Sequence, residues 1–172
     1  MKRIFLFVVL LTGIGFICSG QKNGTWDKWK WLIGEWQGEG SGQPGQGGGT
    51  FSFSLALNGK VLIRKSHSEY TAEENKQPII HDDLMIVYPD LNNNPIKAVY
   101  FDNEGHTIFY TASFGENQIM LTSDKIPGIP VFRLIYTLQD ADTVFIQFEI
   151  AQDGQEFITY IEGKSTRIEN NP

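Results

Sequence analysis

The chain is 172 residues long, sets 14 Lys and Arg against 20 Asp and Glu for a formal charge of −6, and has a single cysteine. That length supports one sizeable core rather than two comfortable domains. The acidity disfavours nucleic acid, whose binding is driven by cationic neutralisation of phosphates, and the lone Cys18 excludes an internal disulfide and a thiolate zinc site.

The first twenty residues read as a signal peptide, 1–20. Lys2-Arg3 is a basic n-region, Ile4 to Ile17 is a largely apolar run, and Cys18-Ser19-Gly20 supplies small residues where a signal peptidase cuts. The run is short for a membrane span and no later segment approaches about eighteen apolar residues, so the mature chain is expected to carry no transmembrane segment. It would start at Gln21, be exported to the periplasm or secreted, and form one domain over 21–172. Losing Lys2 and Arg3, and no acid, takes its charge from −6 to −8. The alternative is a lipoprotein acylated at Cys18, although Phe16-Ile17 is bulkier than a lipobox favours.

A brief helical turn is expected over Trp26 to Leu32, capped by Thr25 and plugging one end of the fold with Trp26 and Trp29. The segment Leu32-Ile33-Gly34-Glu35-Trp36-Gln37-Gly38-Glu39-Gly40 then opens the first strand. Its glycines suit a strand that bends sharply and lets other backbone approach closely. Ser41 to Gly49 is a low-complexity stretch of Gly, Gln and Pro, either a flexible connector at the rim or a lid over a ligand.

From Thr50 onward the pattern is strand after strand, with a turn signal every 8–12 residues or about that. Phe51, Phe53 and Leu55 alternate with Ser52 and Ser54, and Asn58-Gly59 is a favoured two-residue hairpin turn into Lys60 to Tyr70. Further strands are expected over Ile79 to Tyr88, Ile96 to Asp102, His106 to Phe114, Gln118 to Ser123, Val131 to Gln139, Thr143 to Ala151 and Phe157 to Arg167. The fold class is therefore all-β: a single antiparallel meander of about ten strands closed into a barrel, since so many strands curl and closure removes sticky edges.

The hairpin fixes a register that bears on function. A two-residue turn pairs Leu57 with Lys60, Leu55 with Leu62, Phe53 with Arg64 and Phe51 with Ser66. If the Phe face looks inward, Arg64, Ser66 and Ser68 do too, and an arginine among phenylalanines suits an apolar ligand with an anionic group. The other readings are an outward Arg64 or an internal one paired with an acid such as Asp83. Arg133 carries the same ambiguity, opposite Phe132, Leu134 and Tyr136 on its strand.

The Gly34-Glu35-Trp36 opening, with Arg167 near the end of the last strand, resembles calycin-type barrels: lipocalins, fatty-acid-binding proteins and nitrobindins. Val131-Phe132-Arg133-Leu134 and Gly154-Gln155-Glu156-Phe157 also stand in familiar places, and order, length and strand count agree over most of residues 26–168. The resemblance, closest to nitrobindin-like proteins and exported bacterial relatives, implies that Arg167 packs over Trp36 and that Gly34 and Trp36 start the barrel. It also raises the question of haem, which nitrobindin-like barrels hold through a histidine in the final strand. No histidine lies beyond His106 here, and the matching position is Tyr160. A tyrosinate can ligate ferric haem, but a barrel-lining Tyr with its hydroxyl hydrogen-bonded is commoner.

His67, His81 and His106 have no zinc-site spacing, and neither a nucleophile elbow nor a phosphate loop is present. The sequence thus points to an exported, non-enzymatic barrel that binds a small apolar or amphipathic molecule, with Arg64, Ser66, Phe53, Tyr160 and Arg133 as candidate ligand contacts. The alternatives are an enzyme acting on a small hydrophobic or haem-like substrate through Tyr160, His67 or His81, and an envelope module whose barrel is filled with side chains.

Overall fold

The computed structural model describes residues 24–40, 48–70, 78–90, 96–152 and 154–169. The expected leader with Cys18, and most of the glycine-rich stretch after Ser41, lie outside the described residues.

Ten strands form one closed antiparallel barrel: β1 (Gly34–Gly38), β2 (Thr50–Ala56), β3 (Val61–Tyr70), β4 (Ile79–Pro89), β5 (Ile96–Asp102), β6 (Thr107–Phe114), β7 (Gln118–Ser123), β8 (Val131–Asp140), β9 (Thr143–Ala151) and β10 (Ile158–Arg167). Each strand pairs with its neighbours in sequence, and β1 closes the barrel by pairing with both β2 and β10. Every strand edge is therefore satisfied within the chain, the solution a meander of this length needs.

The predicted β2–β3 register holds, with Leu55 opposite Leu62, Phe53 opposite Arg64 and Phe51 opposite Ser66. The ladder stops at Ala56 and Val61, one pair short of the expected Leu57–Lys60 pair. Asn58 (φ 54°) and Gly59 (φ 76°) take the left-handed conformation that a type I′ turn requires, and Leu57 (φ 51°) joins them, which bends it out of the ladder.

One end of the barrel is plugged. The expected helical turn is a 3₁₀ helix over Asp27–Leu32, with Trp26 rather than Thr25 at its N-terminal boundary and no side chain capping it. Trp26 instead donates its indole N–H to the Gly59 carbonyl at 2.8 Å, tying the helix to the β2–β3 turn. Trp29 is wholly buried and packs on Phe53 and Phe114, each at 6.0 Å between ring centroids.

The Gly-x-Trp opening completes this floor. Trp36 is fully buried, stacks on Phe51 at 6.0 Å and donates to the Leu32 carbonyl at 2.9 Å. Arg167 is its partner across β1 and β10 and lies over the indole, its guanidinium carbon 4.3 Å from the ring centroid. The same guanidinium donates to the carbonyls of Ile33 (2.9 Å) and Trp31 (2.7 Å), so it caps the helix end and staples it to the last strand. Gly34 is needed here: its φ is +129°, and a Cβ there would stand 2.7 Å from the Arg167 guanidinium. At Gly38 a Cβ would meet the Gly48 backbone at 3.0 Å, the close approach expected of these glycines.

Candidate ligand-binding cavity

Alternation along each strand sends one residue in two into the barrel. On the plugged side these are large and apolar: Phe53, Leu62, Met85, Val87, Leu121 and Tyr136 are buried together. Towards the other end the inward residues change character and leave a cavity of about 630 Å³, within the range of small-molecule sites.

The cavity has two unlike walls. Strands β6, β8 and β9 contribute an apolar wall of Ile108, Phe132, Leu134, Ile146 and Phe148, with Phe132 and Phe148 stacked at 5.9 Å. Strands β3 to β5 contribute a polar wall that includes Ser66, His81, Asp83, Tyr100 and Asp102 and adjoins the apolar one where Tyr100 pairs with Ile108. An opening this uneven suits a molecule with an apolar body and one polar face.

Arg64 stands at the deep end of the polar wall, its guanidinium carbon 5.7 Å from the Phe51 ring centroid. It forms an ion pair and hydrogen bond through Nη1 with Asp83 Oδ1, both side chains being more than nine-tenths buried. Burial opposes the charge on Arg64, but Tyr136 and Asp83 outweigh it and hold its pKa above the ordinary arginine value. Tyr136, fully buried below, is pushed up to about 12 by burial, with Arg64 pulling the other way. Among the described residues, Arg64 Nε and the Tyr136 hydroxyl have no hydrogen-bond partner.

A second carboxylate lies directly across the ladder, since Asp83 pairs in register with Asp102. Like charges so placed repel, and the sequence supplies each with its own cation or donor. Asp102, 3% exposed at its side chain, accepts from His106 Nδ1 at 2.8 Å and from the His106 and Glu104 backbone N–H groups at 2.9 and 3.0 Å. Burial works to raise the Asp102 pKa, but these hydrogen bonds and the His106 charge hold it below the usual carboxylate value. The hydrogen bond and charge of Asp102 raise His106 in turn. Tying His106 to Asp102 in this way is also why β6 starts at Thr107 rather than at His106.

Tyr100 joins Asp102 to His81. Its hydroxyl donates to Asp102 Oδ2 at 3.3 Å and meets His81 Nε2 at 3.1 Å. Burial, then the charges of Asp83 and Asp102, push the Tyr100 pKa well above the phenol range, so it stays protonated. His81 Nδ1 reaches Glu104 at 3.2 Å, while its Nε2 remains 3.9 Å from Asp83 Oδ2.

Of the residues singled out in the sequence, Arg64, Ser66 and Tyr160 border the cavity. Phe53 lies beneath it in the plugged half, against Trp29 and Tyr136. Arg133 is not on the cavity wall: its neighbours Phe132 and Leu134 point in, and it lies over Phe157 at 3.5 Å and within 3.8 Å of Glu149. Of the three histidines, His81 and His106 border the cavity, whereas His67 is exposed and pairs with Asp82 at 2.7 Å. No group of three or more His, Cys, Asp or Glu is arranged to hold a metal among the described residues.

Tyr160 sits where the β9–β10 ladder shifts register between Thr159 and Ile161, an extra residue that turns its ring to the rim against Phe148. It is 65% exposed, a poor setting for the buried axial ligand that haem requires. Sequence reasoning missed Tyr100, Asp102 and Glu104; the signal for them was the opposition of Asp83 and Asp102 at one end of the β4–β5 ladder.

Compared with known proteins, the chain matches no protein-family model and no curated protein. No helix among the described residues is long and apolar enough to cross a membrane.

Proposed function

We propose that this is an exported, non-enzymatic barrel that holds a small apolar or amphipathic molecule in its open half. The observation that carries this reading is the cavity of about 630 Å³ with an apolar wall beside a hydrogen-bonding one. A barrel filled with side chains would leave no such space, and filling here is confined to the plugged half. From the sequence, Arg64 called for an anionic ligand end. Asp83 supplies that charge from within the chain, so the ligand needs none. Export is proposed on Lys2-Arg3, the apolar run and Cys18-Ser19-Gly20.

The test is native beside denaturing mass spectrometry on the full-length chain, expressed in a bacterial host and recovered from its envelope fraction. The expected result is a denatured mass beginning at Gln21 and a native adduct released on denaturation. A precursor mass in the cytoplasmic fraction contradicts export, and a diacylglyceryl-sized increment makes Cys18 a lipid anchor. An enzyme in the same cavity is favoured by the meeting of His81 and Tyr100 beside the Arg64–Asp83 pair. With its pKa pushed up, however, Tyr100 keeps its proton and serves as a donor only. A bound molecule that changes mass on incubation would move the assignment to the enzyme.

A further inference from the structure

We propose that the cavity selects a neutral amphipathic molecule whose head group both donates and accepts a hydrogen bond, seated on the Arg64–Asp83 pair, and rejects the carboxylate of the same chain length. This rests on the binding role proposed above and names the ligand class for it.

The charges on the wall carry the inference. Among the described residues the cavity is bordered by the cations Arg64 and Lys164 and by the carboxylates Asp83, Asp102 and Glu104, with His81 and His106. Lys164 is exposed, on the side of β10, whereas Arg64 is buried and already engaged by Asp83 Oδ1. An anionic head entering beside Arg64 would meet a compensated cation and would stand close to Asp83, with Asp102 opposite in the ladder. The Arg64 and Asp83 side chains are more than nine-tenths buried, so the repulsion there is poorly screened.

The open valences fit a neutral head. Asp83 Oδ1 is taken, but among the described residues the nearest recorded partner of Oδ2 is His81 Nε2 at 3.9 Å, beyond hydrogen-bond reach, so Oδ2 can accept from a ligand donor. The guanidinium uses Nη1 for Asp83, and its five N–H groups exceed what that single contact satisfies. The Ser66 hydroxyl lines the same wall and can donate or accept, whereas Ser68 Oγ donates to the Gly48 carbonyl at 3.3 Å and is left to accept. A carboxamide or hydroxyl supplies one donor and one acceptor to such a pair. An ammonium supplies donors only and faces the Arg64 charge, whereas a carboxylate supplies acceptors only and faces Asp83.

The experiment is displacement of the neutral fluorophore N-phenyl-1-naphthylamine from the full chain at pH 8 by decanamide, decanol, decylamine and decanoate. The expected ranking puts decanamide and decanol at least tenfold ahead of decanoate, with decylamine behind both neutral molecules. In Asp83→Asn, which leaves the Arg64 charge unopposed, decanoate should gain at least tenfold relative to decanol. If that variant does not fold, as circular dichroism would report, the ranking on the unaltered protein decides alone. Decanoate binding as well as or better than the neutral molecules overturns the inference and leaves the binding role standing. A folded protein that takes up no fluorophore overturns both.

Discussion

The two halves of the barrel are built from the same strands and differ in nearly everything else. Along β3 the inward residues run from Leu62 at the plugged end through Arg64 to Ser66 and Ser68. Along β5 they run from Ala98 through Tyr100 to Asp102, and β4 passes in the opposite direction from His81 and Asp83 to Met85 and Val87. The plugged half holds the fold by close packing and by the Trp36–Arg167 staple. The open half keeps two carboxylates in a cavity wall, each neutralised by a dedicated partner, and leaves space beside them. Close packing and open space thus lie at opposite ends of one sheet, which puts the proposed ligand capture at the end that does not carry the fold.

The largest effect is expected at the plugged end. Trp36→Ala removes a fully buried ring, its stack on Phe51 and the surface under Arg167, and should cost about 3–5 kcal/mol in a denaturant titration. A near-silent result would remove the Gly-x-Trp opening from its anchoring role.

Arg64→Met crosses the boundary between the halves. Removing one partner strands the Asp83 carboxylate in a buried site, a loss of about 3–5 kcal/mol when measured near neutral pH. Adding Asp83→Asn to it should restore most of that loss, because no buried charge is then left alone. A double variant as unstable as the single one would mean that Arg64 acts through its contact with Phe51 rather than through its charge.

The smallest effect is at the rim. His106 has its pKa raised by Asp102, and Asp102 has its own lowered. The His106 contribution is fully present below the unfolded histidine pKa of about 6.5 and is lost as pH rises through the higher folded value. The Asp102 contribution is present above the unfolded aspartate pKa of about 3.9 and is lost as pH falls through the lower folded value. The pair therefore stabilises most between those limits. Titration of the His106 ring by NMR should give a midpoint above the ordinary 6.5 that returns towards it in Asp102→Asn. An unshifted midpoint in the unaltered protein would detach His106 from the carboxylate.

How far these halves could be read from the sequence depended on the turns. Asn58-Gly59 sets the β2–β3 register, so the facing of Arg64 and Ser66 followed from the chain, and Asp83 stood among its possible partners. The segment from Pro89 to Pro95 sets no such register, which hid the opposition of Asp83 and Asp102 and with it Tyr100 and Glu104. Arg133 could not be placed from alternation alone, because a strand of aromatic and aliphatic residues reads equally well from either face until its neighbours fix it. Tyr160 was displaced by a one-residue bulge, which a period of two cannot register. At the other end, the Trp26–Gly59 tie explains why no Thr25 cap forms: the tryptophan is held by a distant turn, and the helix start follows it.

The central claim is that the open half is a binding cavity while the plugged half carries the fold. Its most direct test is a titration of N-phenyl-1-naphthylamine into the unaltered protein beside Ile146→Trp, a substitution that puts a larger ring on the cavity's apolar wall. Saturable one-to-one binding that is lost in Ile146→Trp, with the denaturant midpoint little changed, is the predicted result. Absence of saturable binding to the folded unaltered protein, or undiminished binding to a folded Ile146→Trp, would contradict it.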